Sequence, residues 1–130
     1  MSLVPGPFFT IEHVPTQAEL ELFARVSGDD NPIHVDPDFS ARTRFGRPVA
    51  HGMLIYSYLW AEMRRQLPNA VAKQQSLMFP HPAYAGEPIR ITATIDSVEG
   101  REARISVRVA RSADDTPVTE ATTILDLGAI

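Results

Sequence analysis

The chain predicts an α+β fold in which a long central helix is wrapped by an antiparallel β-sheet. Three observations carry that prediction. Residues 51 to 66 read as a helix whose perimeter is almost wholly apolar, from Met53, Leu54 and Ile55 through Tyr56, Tyr58, Leu59, Trp60 and Ala61. A helix apolar all round is expected to be surrounded by protein. Residues 89 to 96 alternate Ile89, Ile91, Ala93 and Ile95 with Arg90, Thr92, Thr94 and Asp96, and Ile105, Val107 and Val109 repeat the period of two. The turn at Glu99-Gly100 between these runs is short, and strands joined by short turns pair antiparallel.

The remaining elements follow in order. Phe8 to Val14 reads as a short strand. Thr16-Gln17-Ala18-Glu19 has the form of a capping box, a hydroxyl at the N-cap with a carboxylate three residues on. Leu20, Phe23, Ala24 and Ser27 then recur at helical spacing, which predicts an amphipathic helix ending near Gly28. Residues 28 to 50 form an irregular excursion in which Gly28 and Pro32 argue against regular helix. Asp36-Pro37 is an N-cap and first-turn pair for a brief helical turn through Thr43. Pro68 ends the central helix. Gln75 to Phe79 and Val118 to Leu127 are strand-like but less regular.

Composition bounds the function. At 130 residues, with 44% hydrophobic and 22% charged side chains, the chain reads as one globular domain over residues 1–130. A net charge of −4 argues against a nucleic-acid partner. Of twelve basic residues all but Lys73 are arginine, which suits contacts to phosphorylated small molecules. There is no cysteine, so disulfides, thiolate catalysis and thiolate metal sites are excluded. The apolar run at 53–61 falls well short of the ~20 residues that span a bilayer, and no secretory signal opens the sequence. The expectation is a cytoplasmic protein without a membrane partner.

Chemistry concentrates in two runs. Ser27-Gly28-Asp29-Asp30-Asn31-Pro32-Ile33-His34 sets a carboxylate and an imidazole on either side of a proline-broken turn that can fold both toward one point. Its plain reading is a set of turn formers and helix caps. Ala50-His51-Gly52-Met53-Leu54 opens the central helix, whose first amides lack partners and carry partial positive charge. The Gly52 amide can stabilise an oxygen that gains charge beside a reacting carbon, unless the glycine serves helix packing alone. An acid/base pair with an amide donor is what chemistry beside a carbonyl needs. His51 reads as a residue that caps or packs at the helix start ahead of a catalytic one. A metal held by His34, Asp36 and His51 is not supported by their spacing, so no metal site is expected. His13 and His81 read as structural, and Tyr56, Tyr58 and Trp60 as core or pocket wall.

Phe23-Ala24, Ser27-Gly28-Asp29, Asn31-Pro32-Ile33-His34 and Arg47-Pro48-Val49-Ala50-His51-Gly52-Met53-Leu54 together resemble the (R)-specific enoyl-CoA hydratases of the MaoC-like dehydratase group. The resemblance continues through Gln75-Ser76-Leu77, Phe79 and Gly86-Glu87. It implies a single hot-dog fold, pairing into homodimers, and reversible hydration of a trans-2-enoyl-CoA to the (R)-3-hydroxyacyl-CoA without a cofactor. Asp29 and His34 match the family's catalytic aspartate and histidine, Asn31 the supporting asparagine, and Gly52 the amide that receives the thioester oxygen. Trp60 stands where some members carry serine, which bears on acyl-chain length. Arg47 is expected at the substrate with His51; Arg42, Arg44, Arg64, Arg65 and Lys73 are further candidates for the CoA phosphates. A hot-dog thioesterase and a non-catalytic acyl-thioester binding subunit are the competing readings.

Overall fold

The computed structural model describes residues 3–128. Five strands, β1 (Gly6–His13), β2 (Val71–Met78), β3 (Ile89–Glu99), β4 (Glu102–Arg111) and β5 (Pro117–Asp126), form one sheet in the order β1-β3-β4-β5-β2, with every neighbouring pair antiparallel. Four helices fill the chain between β1 and β2: α1 (Gln17–Ser27), α2 (Pro32–Val35), α3 (Pro37–Ala41) and α4 (Gly52–Gln66).

Period-two patterning puts one face of the sheet inward. Ile89, Ile91, Ala93 and Ile95 of β3 are buried, as are Ala103, Ile105, Val107 and Val109 of β4. Against them pack Leu54, Ile55, Leu59 and Met63 of α4, one stripe at helical spacing. A flat sheet could not follow a helix in this way. Each of the four strand pairings carries a register shift, between Pro7/Phe9, Ala72/Gln74, Ile95/Ser97 and Val109/Ala110. Such bulges bend the strand and deepen its twist, which curls the sheet around α4. The arrangement is the helix-in-sheet architecture that the patterning and the resemblance imply.

The capping box at α1 is formed in full: Thr16 Oγ1 accepts from Glu19 N–H at 3.1 Å, and Glu19 Oε2 accepts from Thr16 N–H at 3.2 Å. Leu20 and Ala24 bury the inner face of that helix. Its end is set by Gly28, whose φ of 83° is a left-handed conformation that costs glycine little.

Three expectations need correction. Pro32 does not exclude helix; it occupies the first position of α2, where a missing N–H costs nothing, with Asn31 as N-cap. β2 begins at Val71, four residues before the run that looked strand-like, because its first half is an exposed edge without an alternating pattern. The central helix is not enclosed on all sides by its own chain. Met53 is 49% exposed, and Ser57 and Ala61, each one turn further on, are exposed along the same row. Five strands cover one side of α4, leaving that row open.

Leu59 is fully buried on α4, whereas Leu22 on α1 is 52% exposed. Leu59→Ala is expected to destabilise the fold by about 2–5 kcal/mol, and Leu22→Ala by about 0.5 kcal/mol or less. Urea midpoints of the two variants check this; equal shifts would remove α4 from the core.

Candidate active site

The two chemistry-bearing runs meet at the start of α4. Gly28 ends α1 by donating its N–H to Ala24 O at 3.0 Å, and the next residue, Asp29, donates its own to Ser27 Oγ at 3.1 Å. Asn31 Oδ1 accepts from Ile33 N–H at 3.1 Å and starts the α2 turn that carries His34. The loop before α4 is strapped to that turn. Val49 donates to Ile33 O at 3.1 Å, and His34 Nδ1–H donates to Val49 O at 2.6 Å. From the other side Gln17 Nε2 donates to His34 O at 3.0 Å.

These bonds fix the His34 tautomer. With Nδ1 donating to a carbonyl, a neutral ring carries its lone pair on Nε2. That atom lies 3.8 Å from Asp29 Oδ2. The separation exceeds a direct hydrogen bond but suits one water molecule bonded to both. Asp29 is 53% exposed and His34 14%. The imidazole is therefore held in the wall while the carboxylate reaches solvent.

His51 completes the cluster from below. It is 2% exposed, and its Nε2–H donates to the backbone carbonyl of Asp29 at 3.0 Å. Its ring stacks on His34 with centroids 3.8 Å apart and lies 4.8 Å from Phe23. Burial pushes the His51 imidazole below its ordinary pKa; the bond to Asp29 O opposes this and the His34 charge adds to it. His51 is thus a neutral donor. Its Nδ1 is buried without a hydrogen-bond partner.

Asp29, His34 and His51 each offer one ligand atom within 4.8 Å of the others. Stacked rings project their in-plane lone pairs side by side, which does not converge them on one ion. One His51 nitrogen is already bonded to the Asp29 carbonyl. Asp36 takes no part, since its Oδ1 accepts from Asp38 and Phe39 N–H as the N-cap of α3.

These groups line a cavity of about 440 Å³, within the range of small-ligand sites. Gly52 lines it as the first residue of α4, so its amide has no intrahelical partner. A Cβ at Gly52 would stand 2.9 Å from Cε1 and Cζ of Phe79, so the glycine also answers a close approach. Phe45, Val49, Ile55, Phe79 and Val118 supply apolar wall.

The structure brings together Asp29, His34, His51 and Gly52 of the residues singled out in the sequence. Asn31 caps α2 and does not line the cavity. Arg47 lies outside it, bound to Glu87 Oε2 at 2.6 Å and stacked over Tyr84 at 4.0 Å. Trp60, two turns along α4, packs half-buried on the core, away from the cavity wall. Of the further basic residues offered for the CoA phosphates, Arg44 lines the cavity; sequence reasoning missed Phe45 and Val118 as lining residues, and His81 lines the cavity although it reads as structural. Phe79 and His81 belong to a proline-flanked run that returns beside the start of α4, a long-range approach that no local pattern encodes.

Residues 7–116 match the model of the MaoC like domain family. Over 87 residues, 65% of this chain, the sequence is 40% identical to a protein of Aeromonas caviae named (R)-specific enoyl-CoA hydratase, and the match spans 63% of that relative. It is 37% identical over 71 residues to a mitochondrial 3-hydroxyacyl-[acyl-carrier-protein] dehydratase of Arabidopsis thaliana, covering 55% of this chain and 43% of that one. The fold is similar to the solved structure of an (R)-hydratase from A. caviae involved in PHA biosynthesis, with a TM-score of 0.91, 28% identity, and coverage of 96% of this chain and 97% of the other. The matched stretches thus span less than two thirds of the curated relatives' own length.

A histidine whose folded pKa lies below its unfolded value stabilises the fold above the unfolded value. That contribution is lost as protons bind the unfolded chain more readily. For His51 the loss sets in as pH falls below about 6.5, the ordinary histidine value. Urea midpoints measured downward from pH 7.5 should decline through this window. His51→Gln, which keeps a donor for the Asp29 carbonyl but does not titrate, should flatten the decline; an unchanged profile would remove His51 as its source.

Proposed function

We propose that this chain, which belongs to the MaoC-like domain family, catalyses the reversible hydration of trans-2-enoyl-CoA to (R)-3-hydroxyacyl-CoA. The observation that carries the reading is the 3.8 Å approach of Asp29 Oδ2 and His34 Nε2 in one cavity with the Gly52 amide. The (R) configuration is supported by the name of the Aeromonas caviae relative.

The chemistry is a balanced addition. A water held between the two side chains loses a proton to the pair as its oxygen bonds to C3. The C2=C3 π electrons shift toward the thioester carbonyl, giving an enolate-like oxygen that accepts from Gly52 N–H. The pair then returns a proton to C2 as the enolate electrons come back to that carbon. In the reverse direction it takes the C2 proton and expels water. Removing one oxyanion donor typically costs ~2.7–4 kcal/mol of barrier. The positive end of the α4 dipole adds to that donor. His51 works through Asp29, by holding its carbonyl, and is a positioning residue.

A homodimer with the cleft near the subunit boundary belongs to the same proposal. β2 is an edge of the sheet, and Val71 and Met78 on it, with Phe79 and Met53 nearby in sequence to its end and to the start of α4, are large exposed apolar residues. Unpaired edges of this kind invite a partner. No helix among the described residues is long and apolar enough to cross a membrane. A cytoplasmic location is the reading carried from the sequence.

Incubation with crotonyl-CoA should remove the ultraviolet absorbance of the enoyl conjugation without releasing free thiol. Asp29→Asn and His34→Ala should each lower the rate by ~10²–10⁴ while folding normally. Thiol release in step with turnover would make the protein a thioesterase, and near-normal hydration by either variant would refute the assigned pair.

A further inference from the structure

Arg44 stands apart from the other cations of the chain. Arg47, Arg65, Lys73, Arg90, Arg101, Arg108 and Arg111 each lie within ion-pair distance of a carboxylate. Among the described residues, Arg25, Arg42, Arg44, Arg64 and Arg104 have no such partner, and Arg44 is the one arginine or lysine that lines the cavity of Asp29, His34 and Gly52. Its guanidinium carbon lies 4.8 Å from the centroid of Phe45, another wall residue. The guanidinium lies against that ring and, among the described residues, donates no side-chain hydrogen bond, which leaves its N–H groups open to a carboxylate or phosphate in two parallel bonds. Of the five cations without an ion pair among the described residues, the one beside the reactive groups is Arg44, and it offers an anion receptor there.

We propose that Arg44 binds an oxyanion of the thioester substrate, a phosphate of the carrier or a carboxylate on the acyl group. This deepens the hydratase reading and rests on it for the identity of the ligand as a thioester. Arg47, the cation favoured by the sequence, is committed to Glu87 and Tyr84 and does not fill this place.

Saturated thioesters test binding apart from turnover. Calorimetry would compare butyryl-CoA, which has phosphates only, the glutaryl monothioester of N-acetylcysteamine, which has a carboxylate only, and butyryl-N-acetylcysteamine, which has neither. Arg44→Ala should weaken one of the two anionic ligands about ten-fold, leave the neutral one unchanged, and thereby name the source of the oxyanion. Arg44→Lys should recover part of the loss, since a point charge replaces the fork. Equal effects on all three ligands, no effect on any, or unmodified protein that does not distinguish anionic from neutral thioesters would overturn the proposal. Hydration of crotonyl-N-acetylcysteamine by the unmodified protein, followed in parallel, reports on the hydratase reading alone. Its absence would sink that reading while the binding series still decides Arg44.

Discussion

The hydrogen bond from His51 Nε2–H to the carbonyl of Asp29 is the constraint on which the site depends. It joins the residue that caps the central helix to the turn carrying the acid/base pair, two places far apart in sequence. His51 can make it only because the curled sheet fixes α4 and leaves the helix start buried, with the imidazole neutral. The Val49 carbonyl does the same for His34 from the neighbouring strap. The His34 imidazole and the main chain of Asp29 are thus positioned through main-chain carbonyls, while the carboxylate itself reaches solvent. Stacked His34 and His51 rings add a further control, since a second positive charge beside the first is disfavoured.

Much of the fold was legible because patterning and packing agree. The alternation in β3 and β4, the capping box of α1 and the long apolar α4 all encode local structure directly. What escaped was decided by context. Edge strand β2 starts in Val71-Ala72-Lys73-Gln74, every residue exposed, so no alternation announces it. Proline at the head of α2 reads as a breaker until its position is known. The open row on α4 (Met53, Ser57, Ala61) lies in a largely apolar run, and only the sheet's extent reveals that none of the described residues covers it.

The site divides along the same line. Asp29, His34, His51 and Gly52 were visible as motifs, and the fold brings them into one cavity. Asn31 and Asp36 behave as the plain reading of such residues says, capping short helical turns. Arg47 could not be placed from sequence, because its partner Glu87 lies on a loop brought near by the Val49–Tyr84 bridge. The sequence favours Arg47, yet the fold puts Arg44 on the cavity wall and holds Arg47 outside it against Glu87.

Gly52 shows why a functional and a structural reading of one residue need not compete. The tip of the Phe79 ring approaches so closely that a Cβ would require this partly exposed ring to shift, which gives glycine a packing advantage. Yet the same position is the first of α4, and its N–H is an orphan of the helix whatever side chain it bears. The Phe79 ring, though 45% exposed, adds an apolar wall to the cavity that Gly52 lines. Close packing favours the glycine and the helix start supplies the donor, so one position serves both readings.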